Sequence, residues 1–276
     1  MKVFNVDLKK EYALEGGQLT CILNTQLNEV YPITYANLNR PALIVVPGGA
    51  YNIVSEREAE NVAIEFLAKG FQTFVLTYST AKEGKHYPQQ FLQLACAVDY
   101  VKKHAKELCV NEKQIFAIGF SAGGHLVGNI AVDWQNASTI YGKTLDAKPT
   151  AVGLCYPVIT NTLEYKNTHK NLLEGYEEKT IAKLLQTLNL DQAVSSLTPP
   201  SYIWTTAEDE TVPCENALVY ALACAKNKVP YELHVYPKGP HGLSTGKKDI
   251  NPNFNDAYVT SWIEECTTFF KRFIEE

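Results

Sequence analysis

The stretch Gly119-Phe120-Ser121-Ala122-Gly123-Gly124-His125, or GFSAGGH, follows an apolar run at 114–118 and precedes a segment of helical character. It therefore predicts a turn between a buried strand and a helix, with Ser121 at its tip. Such a turn crowds the strand against the helix, so the residues around the serine must be small. Glycines stand two residues before and two residues after it. The serine is either a turn residue or a nucleophile, and the rest of the chain has to decide between these readings.

Apolar runs and segments of helical periodicity alternate along most of the chain. The predicted strands are 1–8, 18–27, 42–46, 71–76, a run ending at 120, 151–155, 202–206 and 231–235. The predicted helices begin near 55, 89, 122, 179 and 214, and a closing helix has its apolar face between 259 and 273. Ser55 and Glu58 have the spacing of a capping box at the start of the first of these helices. This alternation predicts an α/β fold, a mainly parallel sheet with helices on both faces, whose first two strands form an antiparallel edge.

The domain organisation follows from the same alternation. Repeats, low-complexity tracts and Gly/Ser linkers are absent from the sequence. Residues 158–198 break the rhythm with a polar, tyrosine-containing segment. We expect residues 1–276 to form a single domain, in which residues 158–198 are a small cap or lid insertion.

Composition excludes several classes of function. The 276 residues are 46% hydrophobic and 20% charged, and the formal net charge is −5. This balance disfavours nucleic acid or an anionic membrane as a main partner. The N-terminus lacks an apolar leader-like segment, and the seven cysteines show no C-x-x-C spacing. We expect a soluble, cytoplasmic protein with buried thiols, no membrane association and no metal.

A serine hydroxyl needs a base, a group that orients the base, and donors for the oxyanion that forms. His241, in KGPHGLSTG, follows the last predicted strand on a Gly/Pro loop and is the favoured base. His234 lies inside that strand and is expected to be structural. His125 lies four residues after Ser121 on the same predicted helix, where it either lines the mouth of a pocket or only packs. The remaining histidines stand in polar surroundings: His86, His104 and His169.

Three consecutive carboxylates, Glu208, Asp209 and Glu210, follow the strand before last in IWTTAEDETVP. Asp209 is the preferred acid and Glu208 the second choice, while a merely solvated loop is the alternative. Neighbours on an extended loop point in different directions, so Glu208 and Glu210 should face away from the histidine. The order along the chain is then serine, aspartate, histidine.

The oxyanion donors should come from the loop after an earlier strand. Residues 47–51, with the sequence PGGAY, follow the apolar run 42–46. Two glycines there allow the backbone to direct its N–H groups at a ligand. A simple Gly-Gly turn is the alternative.

Four motifs in this order resemble those of α/β-hydrolase esterases of the acetyl-esterase and xylan-esterase type. The resemblance covers about residues 40–275 and rests on VVPGGAY, GFSAGGHL, TAEDETVP and GPHG. It implies the α/β-hydrolase fold, with Ser121 as nucleophile, Asp209 as acid and His241 as base. It also implies that the oxyanion hole is formed by the backbone N–H groups of Gly49, Ala50 and Ala122. Lipase-like relatives usually carry a histidine before the glycines, where this chain has a proline, so the sugar-ester branch is favoured.

The resemblance further implies hydrolysis of a carboxylic ester through an acyl-enzyme, without a cofactor or metal. We expect Tyr51, Phe120, His125 and Tyr156 to contact the substrate. Their bulk favours a small acyl group, chiefly acetyl, and the aromatic rings suit a sugar or oligosaccharide. The expected partner is thus a small-molecule ester.

Two alternatives remain open. One is an amidase or peptidase of the same fold, similar to the prolyl-oligopeptidase group, although the N-terminal propeller of that group is missing. The other is a non-catalytic α/β-hydrolase that only binds. The sequence also leaves the oligomeric state open, including a homo-oligomer.

Overall fold

The apolar runs of the sequence form one sheet of eight strands in the computed structural model, which describes residues 1–25, 29–30, 38–163, 167–254 and 256–274. The strands are β1 (Lys2–Asp7), β2 (Gln18–Leu23), β3 (Arg40–Val46), β4 (Gln72–Thr77), β5 (Val110–Phe120), β6 (Ala151–Cys155), β7 (Ser201–Thr206) and β8 (Tyr231–Tyr236). Their order is β1-β2-β4-β3-β5-β6-β7-β8. β2 pairs antiparallel with both β1 and β4, and the remaining neighbours are parallel. The predicted antiparallel edge is therefore present. The second strand ends earlier than predicted, and the predicted positions 26 and 27 lie outside the described residues.

Helices cover both faces of this sheet. They are α1 (Leu8–Tyr12), α2 (Glu60–Ala68), α3 (Gln89–Lys103), α4 (Ala122–Asp133), α5 (Ala137–Tyr141), α6 (Thr168–Leu172), α7 (Glu178–Leu188), α8 (Leu190–Ala193), α9 (Glu215–Lys226), α10 (Ala257–Thr260) and α11 (Trp262–Lys271). Within the described ranges, no helix is both long and apolar enough to cross a membrane.

Strand β3 shows why the sheet is buried on both faces. Successive side chains of a strand point to opposite faces. Ile44 and Val46 pack on the side of α3 and α4, and Leu43 and Val45 pack on the side of α2 and α11. All four side chains are inaccessible to solvent. A continuous apolar run is what a strand covered by helices on both faces requires.

The predicted capping box at the start of α2 is wrong. The Ser55 side chain makes no capping hydrogen bond, and a 3₁₀ turn at Glu56–Glu58 precedes the α-helix. Glu58 turns inward instead. Its carboxylate accepts hydrogen bonds from the Gly48 N–H and from the Tyr156 hydroxyl, and these two donors compensate for its burial.

The segment that breaks the strand and helix alternation carries α6, α7 and α8 between β6 and β7. Residues 164–166 of this segment lie outside the described residues. α7 and α8 pack against α4, which begins directly after Ser121. From α6, the Asn171 side chain donates a hydrogen bond to the Ala50 carbonyl. The segment therefore lies against the two elements on which the predicted site is built.

Candidate active site

Ser121 occupies a sharp turn between β5, which ends at Phe120, and α4, which begins at Ala122. Its φ of 53° and ψ of −117° lie outside the usual regions for a residue with a side chain. Such a conformation typically costs about 1 to 3 kcal/mol and persists only where the surroundings fix it. Here the Ser121 N–H donates to the Cys155 carbonyl, and the Ser121 carbonyl accepts from the N–H groups of His125 and Val158. Hydrogen bonds to α4, to the end of β6 and to the residues that follow β6 thus fix the turn that presents the serine.

The glycines around Ser121 are required by the space available. A Cβ atom at Gly119 would lie 2.1 Å from the Gly123 carbonyl oxygen. A Cβ atom at Gly123 would lie 2.1 Å from the carbonyl oxygen of Val46, on the neighbouring strand β3. Contacts this short are not tolerated, so only glycine fits at either position. The crowding predicted from the sequence is present on both sides of the serine.

The structure brings Ser121, His241 and Asp209 into one chain of hydrogen bonds. His241 Nε2 lies 2.9 Å from Ser121 Oγ, and His241 Nδ1 lies 2.6 Å from Asp209 Oδ2. A carboxylate only accepts, so Nδ1 carries the proton and Nε2 is left to accept from the serine hydroxyl. Asp209 follows β7 and His241 follows β8. These loops meet Ser121 because the carboxyl ends of parallel strands share one edge of the sheet.

Among the three consecutive carboxylates, Asp209 is the one that reaches His241. Its side chain is 1% exposed, and its Oδ1 atom accepts hydrogen bonds from the N–H groups of Thr211 and Val212, each at 2.9 Å. Glu208 and Glu210 are exposed, although the loop is not extended as predicted but turns, with the Asp209 N–H donating to the Thr206 carbonyl. Glu208 accepts a hydrogen bond from the Gly239 N–H at 3.2 Å and so supports the loop that bears the histidine.

The loop after β3 adopts a backbone suited to presenting donors. Gly49, Ala50 and Tyr51 have φ values of 124°, 53° and 57°. In the part of the chain that the structure describes, no hydrogen bond is donated by the backbone N–H of Gly49, Ala50 or Ala122. Ala122 is the first residue of α4, where N–H groups have no partner within the helix. The three N–H groups that the resemblance names as oxyanion donors are therefore not engaged by the protein.

Two of the residues predicted to contact the substrate, Tyr51 and His125, lie behind the site and not on its surface. Both are almost completely buried. His125 Nε2 lies 2.8 Å from the Leu188 carbonyl oxygen, and the Tyr51 hydroxyl lies 2.8 Å from His125 Nδ1. Because a carbonyl only accepts, Nε2 carries the proton and Nδ1 accepts from the tyrosine. These residues tie the loop after β3 to α4 and to the end of α7. Neither of them lines the cavity described below, and substrate contact by Tyr51 and His125 stays a prediction.

The other two residues predicted to contact the substrate, Phe120 and Tyr156, are also buried. Phe120 points to the α2 and α11 face of the sheet, where its ring packs near Tyr156 and Trp262. Strand alternation turns its side chain away from that of Ser121. The Tyr156 ring packs edge-on against the His241 ring, with 5.1 Å between the ring centroids, and the Tyr156 hydroxyl donates a hydrogen bond to Glu58. Neither side chain lines the cavity at Ser121, and substrate contact by Phe120 and Tyr156 stays a prediction.

A cavity of about 600 Å³ opens at Ser121 and His241. Its remaining lining includes Gly49 and Ala50, which the resemblance names as oxyanion donors, and further residues that sequence reasoning did not assign to the site: Asn52, Ile53, Ser55, Arg57, Glu58, Lys82, Asn167, Asn171, Thr211 and Gly242. These residues come from four separate loops and from the segment between β6 and β7. Single polar residues in loops carry no periodic or motif signal, and only the folded arrangement brings them to one cavity.

Burial of His125 makes the free energy of unfolding depend on pH. Burial, followed by the nearby His169, lowers the pKa of His125 from 6.5 to about 3. Between these values the unfolded chain binds a proton that the folded chain does not. The contribution of His125 to the free energy of unfolding is therefore fully present above pH 6.5 and is lost as the pH falls toward 3. We expect the free energy of unfolding to decrease by about 2 to 3 kcal/mol between pH 7 and pH 4.5 on this account.

Urea unfolding at the two pH values measures this loss, and His125→Gln isolates it because glutamine does not titrate. The pH-dependent loss should be smaller by about 2 to 3 kcal/mol in His125→Gln than in the parent. The matched control is His104→Gln, at a half-buried histidine directly after α3, which should lose as much as the parent. Equal pH dependence in all three proteins would contradict this role of His125.

Comparison with known proteins agrees with this fold. The family model BD-FAE matches residues 29–222, more than half of the chain. The chain is 31% identical over 231 residues, 82% of its length, to endo-1,4-beta-xylanase B of Butyrivibrio fibrisolvens, and 31% identical over 214 residues, 74% of its length, to an acetylxylan esterase of Xylanibacter ruminicola. It spans only 35% and 41%, respectively, of the lengths of these two relatives.

A solved structure extends the likeness over nearly the whole chain. The acetyl ester-xyloside bifunctional hydrolase of Caldicellulosiruptor lactoaceticus is 31% identical, with a TM-score of 0.78, and the match covers 94% of this chain and 90% of that one. The predicted resemblance to acetyl-esterase and xylan-esterase type enzymes is confirmed. The chain has the α/β-hydrolase fold and belongs to the BD-FAE family.

Proposed function

We propose that the chain hydrolyses short acyl esters, chiefly acetates, carried on sugars or oligosaccharides such as those derived from xylan. The observation that carries the proposal is the chain of hydrogen bonds from Asp209 through His241 to Ser121, at a cavity where most of the lining residues are polar. The names of an acetylxylan esterase and an acetyl ester-xyloside hydrolase among the relatives support the acetyl group and the sugar.

In the acylation step, Ser121 Oγ attacks the ester carbonyl carbon while its proton passes to His241 Nε2. Asp209 accepts the Nδ1 proton in a hydrogen bond throughout and stabilises the imidazolium that forms. The carbonyl oxygen becomes an oxyanion and accepts hydrogen bonds from the N–H groups of Gly49, Ala50 and Ala122. When the tetrahedral intermediate collapses, the alcohol leaves with the proton from His241, and the acyl group remains on Ser121.

Deacylation repeats these steps with water. His241 Nε2 takes a proton from a water molecule, whose oxygen attacks the acyl carbon. The same backbone N–H groups stabilise the second oxyanion. Ser121 leaves as the alcohol after receiving the proton from His241, and the carboxylic acid departs. The cycle uses side chains and backbone groups of this chain together with one water.

The cavity lining supports a sugar as the alcohol part of the ester. Amide, hydroxyl and ammonium groups of Asn52, Asn171, Thr211 and Lys82 surround the opening, and they suit the many hydroxyl groups of a carbohydrate. We propose that residues 158–198 act as a small cap within a single domain of residues 1–276, because Asn167 and Asn171 of this segment line the cavity. In this proposal the cap supplies part of the surface for the sugar.

Acyl-chain length gives a direct test of the polar lining. An alkyl chain laid over these amides and hydroxyls would remove their water without replacing its hydrogen bonds. We expect kcat/KM for p-nitrophenyl acetate to exceed that for p-nitrophenyl octanoate by at least about tenfold, a difference of ~1.4 kcal/mol. The two esters are compared at equal enzyme concentration below the micelle-forming range of the octanoate. A preference for octanoate would contradict the short-acyl proposal.

Acetate release from acetylated xylo-oligosaccharides tests the proposed function as a whole. We expect release by the parent protein and none by Ser121→Ala, measured by an acetate assay on the same substrate preparation. An aminoacyl p-nitroanilide is run in parallel, and its preferential cleavage would favour the amidase or peptidase alternative. Inactivity on every ester and amide would favour a protein that only binds.

A further inference from the structure

Glu58 is a buried carboxylate that the proposed mechanism does not use. Its side chain lies at the cavity and is 4% exposed as a residue. Burying an ionised carboxylate costs several kcal/mol, on the order estimated for such ions, unless hydrogen bonds or an opposite charge compensate. Among the described residues, no lysine, arginine or histidine forms an ion pair with it. Its compensation therefore comes from hydrogen bonds.

Both carboxylate oxygens of Glu58 accept from groups of the site. Oε2 accepts from the Gly48 N–H at 2.8 Å, and Oε1 accepts from the Tyr156 hydroxyl at 2.8 Å. The same hydroxyl oxygen accepts from the Ser244 N–H at 2.9 Å, so its own hydrogen is directed at Glu58. Burial, followed by the negative charge of Glu58, raises the pKa of Tyr156 well above its ordinary value of 10. Tyr156 therefore remains a donor at any pH at which the protein would be assayed.

These bonds join two loops of the site that are distant in sequence. Gly48 directly precedes Gly49 and Ala50, which carry two of the proposed oxyanion donors. Ser244 lies three residues after His241, on the loop that carries the proposed base. The Ser244 hydroxyl also donates to the Arg57 carbonyl, next to Glu58, at 2.5 Å. One carboxylate thus connects the loop of the oxyanion donors with the loop of the base.

The space between Glu58 and the serine is small. A Cβ atom placed on Gly48 would lie 2.8 Å from Glu58 Oε2 and 2.9 Å from Ser121 Cβ. Gly48 therefore lies close to both the carboxylate and the proposed nucleophile. A shift of the Gly48 N–H toward or away from Glu58 changes the position of the following donors relative to Ser121.

We propose that Glu58 is a positioning residue, which holds the oxyanion loop through Gly48 in a fixed position relative to the His241 loop through Tyr156 and Ser244. The proposal rests on the proposed ester hydrolysis at Ser121. Misplacement of catalytic groups by a fraction of an ångström affects the transition state more than the binding of the substrate. Loss of the carboxylate should therefore lower kcat with little change in KM.

The test compares Glu58→Gln with Glu56→Gln, an exposed neighbour in the same turn. For Glu58→Gln we expect kcat on p-nitrophenyl acetate to fall by about 10- to 100-fold, since a glutamine cannot accept from both donors at once. KM should stay within about threefold, which is the pattern of an interaction made in the transition state. Glu56→Gln should behave as the parent.

A trifluoromethyl ketone inhibitor separates positioning from mere stability, because the hemiketal that Ser121 Oγ forms with its carbonyl carbon carries an oxyanion. Its inhibition constant should weaken in Glu58→Gln by about the same factor as kcat falls, as expected for a transition-state analogue. Tyr156→Phe removes the second link and should show a loss in the same direction. Since both residues act in one network, the double variant should lose less than the product of the two single losses.

Three outcomes would overturn the proposal. They are full activity of both Glu58→Gln and Tyr156→Phe, a fall in kcat without any change in ketone affinity, and equal losses in Glu56→Gln and Glu58→Gln. If Glu58→Gln does not fold, the kcat and the ketone affinity of Tyr156→Phe decide whether the proposal stands. Failure of the proposed function can be distinguished from failure of the Glu58 proposal. If the proposed function were wrong, the parent itself would be inactive or Ser121→Ala would remain active.

Discussion

Ser121→Ala is expected to lower kcat on p-nitrophenyl acetate by about 10⁶, the loss typical of removing the nucleophile of a triad. The remaining rate would come from substrate binding and the backbone N–H groups, without a covalent intermediate. The fold should be unaffected, because the bonds that fix this turn are made by the Ser121 backbone to Cys155, His125 and Val158. Steady-state kinetics and thermal unfolding on the same preparation measure both effects.

The matched control is Ser55→Ala, at another serine that lines the same cavity. It should retain kcat within about tenfold, because Ser55 has no place in the proton transfer that the triad mechanism describes. Activity of Ser121→Ala within tenfold of the parent would remove Ser121 from the mechanism. An equal loss in both variants would show that the cavity, and not the Ser121 hydroxyl, had been disturbed.

Asp209→Asn is expected to lower kcat by at least about 10³, by comparison with the corresponding change in a serine protease. The geometry gives the reason. Oδ1 of Asp209 accepts from two backbone N–H groups, of Thr211 and Val212, and the amide oxygen of an asparagine would have to stay there. Its NH₂ group would then face His241 Nδ1 and force the proton onto Nε2. That tautomer cannot accept the proton of Ser121.

Glu210→Gln is the matched control for the acid, since Glu210 is exposed on the same loop. Its loss in kcat should stay below about tenfold, because an exposed charge contributes little to a group it does not contact. Glu208→Gln serves as a second comparison. If Glu208→Gln were the damaging change and Asp209→Asn the mild one, the acid would be wrong by one residue while the fold would stand.

The sequence predicted the fold well because its signals are local and strong. The continuous apolar run 42–46 and the run ending at Phe120 became buried central strands, since helices cover both faces of the sheet. The crowding around Ser121 was equally predictable, because GFSAGGH needs glycines wherever a strand and a helix meet at a sharp turn. The same reasoning brought Asp209 and His241 to the serine, since both follow parallel strands.

The residues that line the cavity were harder to identify from the sequence. Tyr51 and Tyr156 stand next to site loops in sequence, yet both are buried and neither lines the cavity at Ser121. Glu58 had the spacing of a capping residue, but two buried donors, from Gly48 and Tyr156, hold its carboxylate inside. These outcomes depend on which loops meet in three dimensions, and spacing along the chain contains no such information.

Labelling with diethyl p-nitrophenyl phosphate tests the central claim, that Ser121 is the nucleophile of the site, most directly. The reagent transfers a phosphoryl group to an activated serine and releases p-nitrophenol. We expect one equivalent of p-nitrophenol per chain, a modified peptide that carries the group on Ser121, and loss of esterase activity in proportion to labelling. His241→Ala should label far more slowly, because Ser121 would lack its base. Modification of another residue in step with the loss of activity, or full activity after Ser121 is labelled, would contradict the account.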